Sequence, residues 1–296
     1  MKKIIYLATA LALVACGAEE TTTLDPVSPK ITPPTDDPDL QEKVAAIEEI
    51  FYAIPKPMEI VTIIKDAGAI FDIQLTNDPN NVGSYTEKTE RALNMGVYGA
   101  DVNYCSAFEA TNDVIYALSC AKSLGDELGL KSVFDQNIHD RIMDNAENAD
   151  SVQAIITATF WEVESKLRED NKPELAAAIM IGGWVEGLNM ACGQAKINLD
   201  NQAIIDRIAE QGVGLNKVIE LANLYEGKNE RLRNLLADLE DLKASFDKIE
   251  VNESAGSGGD SNGVPTIGKK IERNLSPELL EEITVKVFNI REEIVG

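Results

Sequence analysis

Two carboxylates in otherwise apolar helical segments are the residues best suited to chemistry. Asp101 lies in the segment GVYGAD and Glu186 in the segment GGWVEG, each close to glycines and to a large aromatic residue, Tyr98 or Trp184. A carboxyl that is removed from water has a raised pKa, which is what a general acid requires. Two helical carboxylates could also hold a cation. These four residues therefore form a candidate ligand or cation site.

The same residues allow a simpler interpretation. Helical carboxylates usually face solvent or pair with Lys or Arg, and a tryptophan such as Trp184 usually belongs to the core. We therefore weigh two hypotheses. The first is a non-enzymatic binding or structural domain. The second is a carboxylate-based enzyme or cation-binding protein that uses Asp101 and Glu186 in a cleft between glycine-rich helices. The separation of the two carboxyls and the presence of a pocket distinguish these hypotheses.

The chain offers few other groups for catalysis. His139 is the only histidine, and its surroundings, IHDR, are typical of the polar side of a short helix. The sequence contains no HExxH motif, no P-loop and no glycine fingerprint for a dinucleotide. We therefore predict no metal and no cofactor.

Three cysteines follow Cys16 in the sequence. The spacing of Cys105, Cys120 and Cys192 matches no zinc or iron–sulfur pattern. One helix would place Cys105 and Cys120 about 22 Å apart at 1.5 Å per residue, which excludes a disulfide between them. Cys192 could pair with either one, but three buried free thiols are the favoured state.

The N-terminus carries an export pattern. Residues 1–3 are Met-Lys-Lys, residues 4–12 are a short apolar run, and the sequence LVAC ends at Cys16. LVAC resembles the lipobox of bacterial lipoproteins. That resemblance implies that residues 1–15 are a lipoprotein signal peptide and that Cys16 is acylated. An ordinary secretory signal with a chance cysteine is the alternative.

The residues after the lipobox bear on the location and the partners. Gly17 stands where an Asp would retain a lipoprotein in the inner membrane, so the resemblance implies the outer membrane, facing the periplasm or the cell surface. Residues 16–39 are rich in Pro and Thr and predict an extended tether. The net charge of −23 repels nucleic acid, which we exclude as a partner. The expected partners are the membrane, through Cys16, and an envelope protein.

The remaining chain, residues 40–296, predicts an all-α domain. Apolar residues recur at helical spacing, aromatic residues make up only 5% of the chain, and no segment shows strand alternation. We predict a bundle of about eight or nine helices. Two sub-bundles or repeated helical hairpins are alternatives, because residues 92–98 align with 178–184. Residues 251–266 are rich in Gly and Ser and predict a flexible loop.

Residues 84–128 contain no proline and predict one long central helix. A stripe of small residues, which includes Gly96 and Gly99, runs beside its apolar face. Glycine costs about 1 kcal/mol in a helix interior, so it indicates the close approach of another backbone. We expect Gly96 or Gly99 to pack against Gly182 or Gly183 of a second, nearly all-apolar helix. Leucine at Gly99 or Gly183 would then cost more than about 2 kcal/mol.

The segments GVYGAD and GGWVE and the terminal helix ending NIREEI carry a resemblance. They resemble an uncharacterised family of all-helical envelope lipoproteins from Gram-negative bacteria, over most of the predicted mature chain. The resemblance implies the fold class and the location, and it brings no activity, catalytic residue or cofactor. We therefore expect a membrane-anchored lipoprotein whose helical domain serves in binding or in structural interaction.

Overall fold

The computed structural model describes residues 50, 53–54, 57–134, 136–145, 148–255 and 269–296. The predicted signal peptide, Cys16 and the tether lie outside the described residues. Residues 45–296 group into one compact unit by their internal contacts.

Helices make up most of the described chain, and the all-α prediction is confirmed. Within the described residues there are nine α-helices, with these bounds: α1 Pro57–Asp66, α2 Lys88–Ala107, α3 Thr111–Leu128, α4 Gln136–Asp144, α5 Ala149–Glu169, α6 Pro173–Ile197, α7 Gln202–Tyr225, α8 Glu230–Phe246 and α9 Pro277–Val295. Side-chain oxygens cap four helix starts, as small polar residues commonly do. The capping residues are Asn148, Asn201, Asn229 and Ser276.

The stretch 84–128 forms two helices, so the prediction of a single long helix is wrong. α2 ends at Ala107 and α3 begins at Thr111. Residues 108–110 form the turn, in which Glu109 adopts a left-handed φ of 60°. No Gly or Pro marks this break in the sequence. The apolar spacing continues across it because α3 packs back against α2 and both helices need an apolar face.

α2 and α6 form the central pair of the domain, and glycines bring their backbones into contact. A Cβ at Gly96 would lie 1.9 Å from the Ile179 carbonyl oxygen, and one at Gly182 would lie 2.0 Å from the Leu93 carbonyl oxygen. The backbone nitrogen of Gly183 is 2.8 Å from the same Cβ position at Gly96. No side chain fits at these distances, so glycine is required where the two helices cross.

Gly99 has different surroundings from Gly96. A Cβ at Gly99 would meet no atom within 4 Å. The expectation that Gly99 packs against a backbone is therefore wrong, and the overpacking cost predicted for leucine there does not hold. Gly99 instead lines a pocket with an apolar wall.

A two-stranded antiparallel hairpin precedes α9. Strand β1, Glu250–Ala255, pairs with strand β2, Lys269–Asn274. β1 occupies part of the predicted loop over 251–266, so that loop assignment and the prediction of no strand are corrected. Val251 is 55% exposed and Ile271 is 48% exposed, so these two apolar side chains of the hairpin, whose burial is described, stay largely in solvent. Backbone hydrogen bonds join the two strands, and these bonds do not require any particular side-chain pattern. The sequence of the hairpin therefore shows no apolar alternation.

α6 is the one helix in the described ranges that is long and apolar enough to cross a membrane. Its apolar window is entirely buried inside the domain. The helix therefore serves as the core helix of this bundle, which agrees with the polar residues Glu186 and Asn189 that it carries.

Candidate functional site

Glu186 of α6 lies in the core with no exposed surface and forms an ion pair with Arg291 of α9. Arg291 Nε donates to Glu186 Oε2 at 2.7 Å, and Nη2 donates to Oε1 at 2.9 Å. This two-point geometry is the strong form of an arginine–carboxylate pair. Burial raises the pKa of Glu186, and the guanidinium of Arg291 opposes that rise. The structure thus gives Glu186 the arginine partner that the simpler interpretation of the sequence required.

Asp101 of α2 is also buried and belongs to the same cluster. Its Oδ2 accepts a hydrogen bond from the backbone N–H of Asn77 at 3.2 Å. Burial, followed by the negative charge of Glu186, raises the pKa of Asp101 well above its ordinary value.

The two buried carboxyls lie close enough that the negative charge of Glu186 raises the pKa of Asp101. Two carboxyl groups in one buried site do not both stay ionised. Arg291 stabilises the charged form of Glu186, so we assign the proton to Asp101. The pair therefore buries one negative charge, which Arg291 balances.

The position of Arg291 depends on how the end of α9 is held. Asn94 Nδ2 donates to the Ile294 carbonyl at 2.8 Å, and the Tyr85 hydroxyl donates to the Val295 carbonyl at 3.3 Å. These bonds satisfy two of the carbonyls that a helix end leaves unpaired. They fix the last turns of α9 and so place the guanidinium of Arg291 in the core.

The two aromatic residues of the candidate site have different surroundings. The buried Tyr98 hydroxyl donates to the Asp78 carbonyl at 2.9 Å, and burial raises the pKa of Tyr98. Tyr98 precedes Asp101 by three residues on α2, so the two side chains are neighbours on the helix surface. Trp184 is fully buried and lines neither of the two cavities described below. The structure therefore brings together Tyr98, Asp101 and Glu186, and it places Trp184 in the core.

A surface cleft of about 260 Å³ lies beside Asp101. Asp78 and Asp113 add two further carboxylates to its wall. Asp101 itself is only 1% exposed, so almost none of its side chain is accessible from the cleft. Within the described part of the chain, no group of three or more His, Cys, Asp or Glu side chains could hold a metal ion.

A second cavity, with a volume of about 90 Å³, lies among α2, α3, α4, α5 and α6; we call it the apolar cavity. Carbon atoms form almost all of its wall. Gly99 and Asn103 contribute the α2 side, since residues four apart share one helix face. The wall also includes Met95, Ile138, Phe160 and Met180.

The cysteines and the histidine lie apart from this cavity. Cys105, Cys120 and Cys192 are free and buried, as the sequence favoured. Cys105 lies on α2 and Cys120 on α3, so the argument that one helix separates them is wrong. Burial raises the pKa of Cys120 to about 11 and that of Cys192 to about 12. His139 Nδ1 lies 3.4 Å from the side chain of its neighbour in the sequence.

Sequence reasoning missed the role of Arg291. Arg291 follows Val287 by four residues and precedes Ile294 by three, so it falls on the apolar face of α9. That spacing was the available signal. Tyr85 and Asn77 gave no comparable signal, because they lie outside the α-helices and bond to Val295 and Asp101, which are 210 and 24 residues away in the sequence.

Comparisons of the chain with protein-family models, with curated proteins and with solved structures gave no match.

Proposed function

We propose that this protein is an envelope lipoprotein, anchored through Cys16, whose helical domain binds a small apolar ligand and does not catalyse a reaction. The apolar cavity is the observation that supports binding. Protein interiors are close-packed, and a cavity with a carbon-lined wall and few polar groups is typical of a ligand site.

The carboxylate-based alternative has less support. Arg291 donates two hydrogen bonds to Glu186, and Asp101 accepts one from the backbone N–H of Asn77. A general acid must reach its substrate, yet Asp101 is 1% exposed. The cluster is better understood as a buried polar network that joins α2, α6 and α9.

The anchor is supported by the sequence LVAC and by the Pro- and Thr-rich segment that follows it. Several acyl chains on one cysteine would give stable membrane attachment. In cells, Cys16→Ser should move the protein from the membrane fraction to the soluble fraction and abolish its labelling by an alkyne-tagged fatty acid. A variant that stays in washed membranes would refute this anchor.

Methionines provide a direct test of the apolar cavity. Met95 and Met180 line it, whereas Met190 is fully buried on α6 but lies outside its wall. The full chain with Cys16→Ser, which lacks the predicted acylation site, can be labelled with ¹³C-methyl methionine and titrated with n-hexane. We expect the Met95 and Met180 signals to shift and the Met190 signal to stay.

Gly99→Leu provides the matched variant, because its side chain would enter the cavity without meeting a neighbouring atom first. It should abolish the n-hexane shifts. Gly227→Leu adds the same side chain at another glycine with open space beside it and should leave the shifts unchanged. Saturating n-hexane that moves neither Met95 nor Met180 would refute the proposed function.

A further inference from the structure

The apolar cavity contains one polar group that a hydrocarbon ligand would leave unused. Asn103 is 8% exposed and lines the cavity. Its Nδ2 donates to the Gly99 carbonyl at 3.0 Å, which fixes the amide on the surface of α2. Its Oδ1 is buried and has no hydrogen-bond partner in the described chain. A buried acceptor without a donor is costly and uncommon, so Oδ1 is suited to a donor that a ligand supplies.

The two threonine hydroxyls of the wall are already engaged. The Thr157 hydroxyl donates to the Gln153 carbonyl at 2.9 Å, and the Thr159 hydroxyl donates to the Ile155 carbonyl at 2.8 Å. Asn103 Oδ1 is therefore the polar atom of the wall that most needs a ligand donor.

Charge limits the chemistry of the ligand further. Among the described residues that line the cavity there is no Lys, Arg or His. A carboxylate or phosphate ligand would have no counterion there, and it would approach a protein with a net charge of −23. A neutral head group avoids both costs.

We propose that the apolar cavity binds a single-chain aliphatic molecule whose neutral hydroxyl head donates a hydrogen bond to Asn103 Oδ1. This inference rests on the proposed function, since it names the ligand class of the same cavity. One water needs about 10–15 Å³ of the space that the cavity volume measures. The cavity therefore has room for about six to nine groups of that size, which corresponds to a medium-length chain.

Matched ligands test the hydroxyl. The ¹³C-methyl signals of Met95 and Met180 in the full chain with Cys16→Ser report the affinity for 1-hexanol, n-hexane and hexanoate. We expect 1-hexanol to bind, and hexanoate to bind at least tenfold more weakly. Across a series from 1-butanol to 1-decanol, affinity should rise about fourfold for each methylene. The rise should stop once the chain fills the cavity, at about six to nine carbons.

Asn103→Leu removes the acceptor and keeps a side chain of similar size. This substitution should weaken the binding of 1-hexanol about tenfold, which is the effect of losing one hydrogen bond to a ligand. The affinity for n-hexane should stay unchanged. Gly99→Leu should abolish the binding of both ligands, with Gly227→Leu as the unaffected control.

Two outcomes would overturn the inference, and they are distinguishable. If 1-hexanol and n-hexane bind the parent and Asn103→Leu with the same affinities, the hydroxyl assignment is wrong while the proposed function stands. If neither ligand shifts Met95 or Met180, both the inference and the proposed function are wrong.

Discussion

The proton assigned to Asp101 makes the stability of this domain depend on pH in a specific direction. Burial and the charge of Glu186 raise the folded-state pKa of Asp101 above its unfolded value of about 3.9. A group with a raised pKa stabilises the fold fully below the unfolded pKa, and its contribution is lost as pH rises towards the folded pKa. Asp101→Asn should remove this dependence, because the amide can accept from the backbone N–H of Asn77 without binding a proton.

The size of this pH dependence is set by the single proton that Asp101 binds in the folded state. Binding one more proton in the folded state than in the unfolded state lowers the free energy of unfolding by about 1.4 kcal/mol per pH unit of increase. Between pH 5 and pH 7, the parent protein should therefore lose stability relative to Asp101→Asn, by at most about 1.4 kcal/mol for each pH unit.

Urea unfolding followed by circular dichroism, at half-unit steps from pH 5 to pH 7, measures the difference. Asp113→Asn is the matched control, since it removes one carboxylate from the cleft wall that Asp101 also borders. Any change in the pH dependence of stability that Asp113→Asn shares with Asp101→Asn reflects the loss of a carboxylate charge rather than the burial of Asp101. If the curves for the parent and for Asp101→Asn run parallel across this range, Asp101 is ionised in the folded protein and the reasoning is refuted.

The central helix pair, the buried ion pair and the thiols give three further predictions. Gly96→Ala should destabilise the domain by about 1–3 kcal/mol, because its Cβ would overlap a carbonyl oxygen of α6. Gly99→Ala should be neutral or stabilise by up to about 1 kcal/mol through helix propensity; urea unfolding measures both. Arg291→Met should lower the free energy of unfolding by about 3–5 kcal/mol, because it leaves Glu186 buried without its partner. With Cys16→Ser, a thiol reagent should react slowly with the native chain and detect all three remaining thiols after unfolding.

Controls separate these effects from general damage. Lys286 forms a partly exposed ion pair with Asp241 at 2.8 Å, so Lys286→Met should cost no more than about 1 kcal/mol. An equal loss for Lys286→Met and Arg291→Met would contradict the role of burial. A stabilising Gly96→Ala would contradict the close crossing of α2 and α6. Rapid reaction of the native thiols would show that they are accessible.

The sequence by itself determined the all-α fold class. Apolar spacing repeats along each helix because one face of each must be removed from water, and that requirement is local to the chain. Capping residues are equally local, since Ser276 and Pro277 begin α9 in the sequence as well as in the structure. The same reasoning found Gly96 and Gly182, because a glycine inside a helix is costly unless another backbone lies against it.

Only the tertiary structure decided which neighbours these elements meet. The turn at residues 108–110 carries no breaking residue, and the exposed hairpin carries no apolar period, so neither left a local pattern to detect. Gly99 and Gly96 look alike in the sequence, yet one borders the apolar cavity and the other touches α6. Arg291 reaches Glu186 across 105 residues of chain. Such contacts depend on the packing of distant helices, and packing is a property of the whole fold rather than of any one segment.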